Sequence, residues 1–165
     1  MKKFIVFLAA FAAMMCTASF GSINTRGMIK TGTNCPDFIL GMKGTAVYSL
    51  SNFLGKGNII LAFMDNGRDS DMLKKLISGT MGKIPGKNNI WFNITYSGGH
   101  AVIEAVSGGL DMRYRTLKTN IPKIYTMPCY PSVLIMDRAG VVQFIYAGYS
   151  PTVIGDISNW LEKNR

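Results

Sequence analysis

Apolar and polar positions change their period several times along the chain, and the changes mark its elements. Residues 59 to 64, Ile-Ile-Leu-Ala-Phe-Met, form an unbroken apolar run, the pattern of a central strand covered on both faces. After it the spacing becomes helical: Met72, Leu73, Leu76 and Ile77 fall on one stripe. Asp69 or Ser70 suits the N-cap of that helix, Asp71 suits its positive end, and Gly79 and Gly82 offer stops. The turn KIPGKNN then leads into a second β-prone run, NIWFNITY, at 89–96. Further on, SVLIMD, the tight turn DRAG and VVQFIYAG predict a β-hairpin. The last segment, SPTVIGDISNWLEKNR, predicts a helix with Ser150 as N-cap and Pro151 at its first position. Its buried face is Val153, Ile154, Ile157, Trp160 and Leu161.

Other stretches are less periodic. VYSLSNFLGKG reads as a short strand, a polar turn at Ser51 and Asn52, and a glycine-bounded loop. AVIEAV, between glycine pairs, fits either a short helix or a strand, and a short helix is expected around 112–119 in the basic stretch that follows. Helices alternate with strands first and an antiparallel hairpin closes the sheet, which gives a mixed α/β domain of modest size.

Composition sharpens this. The chain has 165 residues, 48% hydrophobic and 16% charged, enough apolar material for one domain with a real core. Part of that is not fold. Residues 1–21 carry Lys2 and Lys3, an apolar run from Phe4 to Met15, and then small residues at Ala18, Ser19 and Gly21, the layout of a secretory signal peptide. The expected organisation is therefore a signal peptide (1–21), a flexible segment (22–31) and a folded domain (32–165). The protein is expected to be exported, periplasmic or secreted, and to meet a membrane only through the signal peptide. Cys16 follows Met15, which is not small, so a lipid anchor is not expected.

The net charge of +9 is spread over scattered lysines and arginines with no aromatic interleaving, which argues against nucleic acid as a partner. His100, the only histidine, has no companion at metal spacing and reads as a loop or helix-cap residue. Asp65, Asp69 and Asp71 depart from the calcium-loop spacing and are better explained by helix capping. Asn93-Ile-Thr is a glycosylation sequon by pattern but lies inside a predicted strand. The methionines are dispersed and read as core filler. No metal and no cofactor is expected. Beyond the signal segment two cysteines remain, Cys35 and Cys129. They read as a disulfide, as unpaired structural residues, or as a reactive thiol at Cys129.

Four phrases resemble one family. CPDFIL matches an A-P-D-F entry with Cys35 in place of the small residue. VYSLSNFLGKGNIILAF matches a phrase leading into a central strand. YTMPCYPSVLIMDRAGVV places Tyr125, Pro131, Ser132, Asp137 and Gly140 at family spacing, and Gly148 with the terminal helix completes the set. Over residues 32 to 163 the chain is similar to the thioredoxin-fold redoxins, which join alkyl hydroperoxide reductase-type peroxidases and exported thioredoxin-like proteins. The resemblance implies an α/β thioredoxin-like fold with a central mixed sheet flanked by helices. It also implies a cis proline at Pro131 facing the redox motif.

One departure bears on function. Where such proteins carry Cys-x-x-Cys after the central strand, this chain has Arg68-Asp69-Ser70-Asp71. Arg and Asp cannot perform disulfide exchange. The expected function is thus that of a redoxin with a degenerate active site, acting in redox or envelope homeostasis. It would bind a protein or peptide partner in a groove lined by Arg68, Asp69, Ser70, Asp71, Tyr130 and Pro131. The alternative is a thiol–disulfide oxidoreductase or peroxidase that uses Cys129, two residues before Pro131, with Cys35.

Overall fold

A computed structural model describes residues 28–43, 46–80, 89–106, 113–117 and 120–164. The expected signal segment (1–21) and most of the expected flexible segment 22–31 lie outside the described residues. At 28–31 the chain is tied down: Ile29 is buried and its N–H donates to Ile124 C=O at 3.0 Å.

The strands are β1 (Ile39–Lys43), β2 (Ala46–Ser49), β3 (Ile59–Met64), β4 (Ile90–Ser97), β5 (His100–Ala105), β6 (Arg113–Leu117), β7 (Ser132–Met136) and β8 (Val142–Ala147). The helices are α1 (Arg68–Thr80) and α2 (Val153–Lys163). β1 and β2 form a separate hairpin, and the other six strands make one sheet in the order β6-β5-β4-β3-β7-β8. β3 and β4 are parallel, and the remaining pairs are antiparallel.

The apolar run 59–64 is the central strand that its composition predicts, with all six residues buried. Alternation assigns its side chains to two cores. Ile60, Ala62 and Met64 meet Leu73 and Ile77 of α1 and Val153, Ile154, Ile157 and Leu161 of α2. Ile59, Leu61 and Phe63 meet Phe38, Leu50, Phe53 and Tyr125 on the opposite face. Both long helices therefore cover one face, while loops and the β1–β2 hairpin cover the other.

One expectation changes and one open reading closes. The short helix expected around 112–119 is, over its described residues, strand β6, and AVIEAV, which fitted either a helix or a strand, falls in strand β5. Alternation decides both: Ala101 and Ile103 point into a core while Val102 and Glu104 point away, and Glu104 stands opposite Arg113. The terminal helix also begins at Val153 rather than Ser150. Ser150 Oγ instead accepts the Thr152 N–H at 3.2 Å in the turn that precedes the helix.

The β1–β2 hairpin is seated against β6 through one glycine. A Cβ at Gly41 would lie 2.1 Å from the Tyr114 ring, so only glycine lets ring and strand meet. Gly41→Ala is expected to cost about 1–3 kcal/mol, the scale of overpacking. Chemical denaturation checks this, and a loss below ~0.5 kcal/mol would show that the ring simply moves aside.

Candidate functional site

The junction after β3 is built from short-range hydrogen bonds. Asp65 Oδ1 accepts the Gly67 N–H at 2.9 Å and the Ser70 hydroxyl at 2.7 Å, while Ser70 Oγ accepts the Asp65 N–H at 3.1 Å. This is an Asx-type turn that delivers the chain into α1. Gly67 is needed because a Cβ there would sit 2.9 Å from Asp65 Oδ1. Asn66 Nδ2 donates to Ser97 Oγ at 3.1 Å and ties the turn to the end of β4.

The helix starts at Arg68, one residue before the earliest predicted cap, and Asp65 braces the turn before it through the Gly67 N–H and the Ser70 hydroxyl. Arg68, Asp69 and Asp71 are exposed at the first turn. Ser70 is fully buried and engaged with Asp65, so it braces the turn from beneath rather than lining a groove.

Two carboxyls record this kind of bracing. The Ser70 hydroxyl and the Gly67 N–H hold the Asp65 carboxyl below its usual 3.8. Asp37 is exposed; the slight desolvation at its site works against ionisation, but bonds from Ser51 and the Phe38 N–H outweigh that and leave its carboxyl lowered as well. A depressed folded pKa stabilises above the unfolded value and loses that contribution as the pH falls through the folded one. The thermal midpoint is therefore expected to fall as the pH drops below about 4. Asp37→Asn should flatten that decline, which midpoints measured across this range would check. An identical acid limb in the variant would contradict it.

The sheet register brings a second loop to the same edge. Phe63 pairs with Ser132, so residues 129–131 lie beside the β3–α1 turn, and Met64 pairs with Thr95, so Tyr96 stands on the other side. The Tyr130–Pro131 peptide is cis. Pro131 is buried and its C=O accepts the Gly148 N–H at 2.8 Å, while Cys129 C=O accepts the Ser132 hydroxyl at 2.7 Å. Between them, Tyr130 has no backbone partner among the described residues.

The Tyr130 ring meets Tyr96 edge-on at 5.5 Å, and Tyr96 stacks on Phe63 at 6.4 Å. Burial raises the pKa of the Tyr130 phenol, and the neighbouring Asp65 charge raises it further, so the hydroxyl is a neutral hydrogen-bonding group. Beside these rings opens a cavity of about 390 Å³ lined by Tyr96, Gly99, Ile121, Pro122, Thr126 and Tyr130, with Lys123 at its rim. Its volume and aromatic wall suit an apolar side chain or small ligand.

The cysteines do not meet. Both are free thiols, Cys35 half-buried and Cys129 exposed. The Cys35 N–H donates to Gly140 C=O at the β7–β8 turn, whereas Cys129 precedes the start of β7. Strand β7 separates these ends by roughly 14 Å at ~3.4 Å per residue, beyond the reach of a disulfide. The expectation of a Cys35–Cys129 bridge, and of Cys35 as a resolving partner for Cys129, is corrected accordingly. Burial pushes the Cys35 thiol up to about 11, with the Asp137 charge adding to it, so it is a protonated thiol at neutral pH.

Of the residues expected at the site, the fold brings Arg68, Asp69, Asp71, Cys129, Tyr130 and Pro131 to one edge, turns Ser70 inward, and leaves Cys35 at the opposite end of β7. Sequence reasoning grouped Asp65 with the helix caps and missed its role as organiser of the turn, although an Asp two residues before Gly67 and five before Ser70 is an Asx-turn signal. It also missed the cavity lining at 121–126, which carries no period. His100 opens β5 opposite Ser97 rather than capping a loop or helix. Among the described residues no three His, Cys, Asp or Glu side chains are grouped to hold a metal, and no helix is long and apolar enough to cross a membrane.

The architecture is shared with solved structures. A protein designated a thiol:disulfide interchange protein, DsbE, from Chlorobium tepidum superimposes with a TM-score of 0.62 at 16% identity, over 82% of this chain and 97% of that one. The thioredoxin domain of a thiol-disulfide oxidoreductase from Bacteroides vulgatus gives 0.51 at 15% identity, over 82% and 98%. An exposed lipoprotein thioredoxin from Streptococcus pneumoniae gives 0.52 at 18% identity, over 78% and 99%. No family model matches the sequence, and no curated protein matches it significantly. At these identities the likeness is one of fold: the chain has an α/β thioredoxin-like fold, a mixed sheet with two helices packed on it.

Proposed function

We propose that this is an exported thioredoxin-like protein whose groove, between the α1 start and residues 129–131, binds an extended segment of a protein or peptide and performs no dithiol exchange. The observation that carries this reading is Tyr130. Its backbone N–H and C=O are unpaired among the described residues, at the lip of an apolar cavity. An extended chain can pair with such a backbone edge while it places a side chain in the pocket. Arg68-Asp69-Ser70-Asp71, at the helix start where redox-active relatives by resemblance carry two cysteines, supports binding over exchange. The leader at 1–21 supports export and a role in redox or envelope homeostasis. The experiment is capture of partners by the wild type and by an Arg68→Ala/Tyr130→Ala double variant. Partners should be lost from the variant, and an unchanged set of partners would sink the groove.

The exposed thiol of Cys129 favours a second reading, a one-cysteine oxidoreductase or peroxidase. Cys35 lies too far away to resolve it, so such an enzyme would need a thiol from another molecule. Titration of free thiols before and after peroxide tests this: an inert Cys129 would exclude it.

A further inference from the structure

We propose a second binding site, for a small oxyanion, on the helix face of the sheet and separate from the Tyr130 groove. α1 covers β3 but does not reach over β5 and β6. Register puts Asn93, Glu104 and Arg113 in one cross-strand row on that face, where a cavity opens among the described residues. Lys74 and Ser78, one turn apart on α1, close the opposite wall of a cavity of about 400 Å³ that these residues line with Ala105 and Val106.

The strongest sign of a ligand is Asn93. It is only 6% exposed, and its Oδ1 accepts the Trp91 Nε1–H at 2.9 Å. Its Nδ2, with two hydrogens to donate, has no protein partner among the described residues and opens on the cavity. An amide donor that reaches the cavity without a protein acceptor among the described residues is available to an acceptor from solution.

The charges around it agree. The Arg113–Glu104 bridge uses Nε at 2.9 Å, which leaves the two terminal guanidinium nitrogens free among the described residues. Lys74 has only a long contact to Asp71 at 3.9 Å. The lining offers a fork, an ammonium and an amide beside the single carboxylate of Glu104, a donor set that suits a carboxylate or phosphate group.

The test follows the Asn93 side-chain amide and Arg113 Nε signals in nitrogen-15-labelled protein. Inorganic phosphate and, separately, succinate are added, against sodium chloride at matched ionic strength. Both signals should shift and saturate with at least one anion, and whichever binds more tightly distinguishes a phosphate ligand from a carboxylate ligand. Arg113→Gln and Lys74→Gln should each weaken that binding by about tenfold, the scale of one charge-assisted hydrogen bond. Thermal midpoints near the wild type's would confirm that both variants fold, as expected where an exposed ion pair contributes little. Shifts no larger than the sodium chloride control, or wild-type affinity in both variants, would overturn the site. Because neither variant touches Tyr130 or Arg68, partner capture by the groove is expected to be unchanged.

Discussion

Tyr125→Ala is expected to lower the unfolding free energy by about 3–5 kcal/mol, the scale of removing a fully buried aromatic ring. The Tyr125 ring has no exposure. It meets Phe38 edge-on at 5.0 Å and stacks on Phe63 at 5.9 Å, joining the entry of the chain to the central strand. Its hydroxyl donates to Pro36 C=O, at the turn that carries Cys35 and Asp37 into the fold. Tyr125→Phe keeps the ring contacts but leaves that carbonyl unpaired, for a smaller loss of about 1–3 kcal/mol. The order of the two variants separates packing from hydrogen bonding. Chemical denaturation should show a lower midpoint with an unchanged slope in both. Equal losses would mean that the hydroxyl, not the ring, carries the stability. Residues 126–131 continue from Tyr125, so the alanine variant should also weaken partner capture.

The second large effect concerns Cys35. With its thiol pushed up to about 11, only about one molecule in a thousand carries the thiolate at pH 8. An ordinary free cysteine with a pKa near 8.5 is about one quarter ionised there, so Cys35 should alkylate at least about two-hundredfold more slowly. Cys129, exposed on its loop, should be labelled first. Mass spectrometry of a timed alkylation of the chain from Ser22 onward, which lacks Cys16, is expected to show one rapid addition and a second only when the chain unfolds. Two rapid additions in the wild type would contradict the position assigned to Cys35.

The most legible elements were those whose own residues decide their burial. Strand β3 is apolar throughout, and α2 repeats its apolar positions every three or four residues, so both stood out from the sequence. Strand β6, Arg-Tyr-Arg-Thr-Leu, did not. Its place depends on a Gly41 more than seventy residues away that admits the Tyr114 ring, and on Glu104 opposite Arg113. No local period encodes such distant partners. In the candidate site the four residues 68–71 were correctly placed at the helix start, but the inward turn of Ser70 was missed. Ser70, Leu73 and Ile77 lie three and seven positions apart, on one stripe, and all three are buried. The stripe was read from its apolar members alone, and a serine that belongs to it was assigned to the groove. The relation of the two cysteines was open for a different reason, since it depends on which end of β7 each occupies.

Binding without thiol exchange is tested most directly by partner capture with the wild type, Cys129→Ser and Tyr130→Ala proteins, resolved on gels with and without reductant. Wild type and Cys129→Ser are expected to retain the same partners in amounts that reductant does not change, while Tyr130→Ala loses them. A partner that disappears with Cys129→Ser, or that is held only as a reductant-sensitive conjugate, would place the work in the thiol and contradict the account.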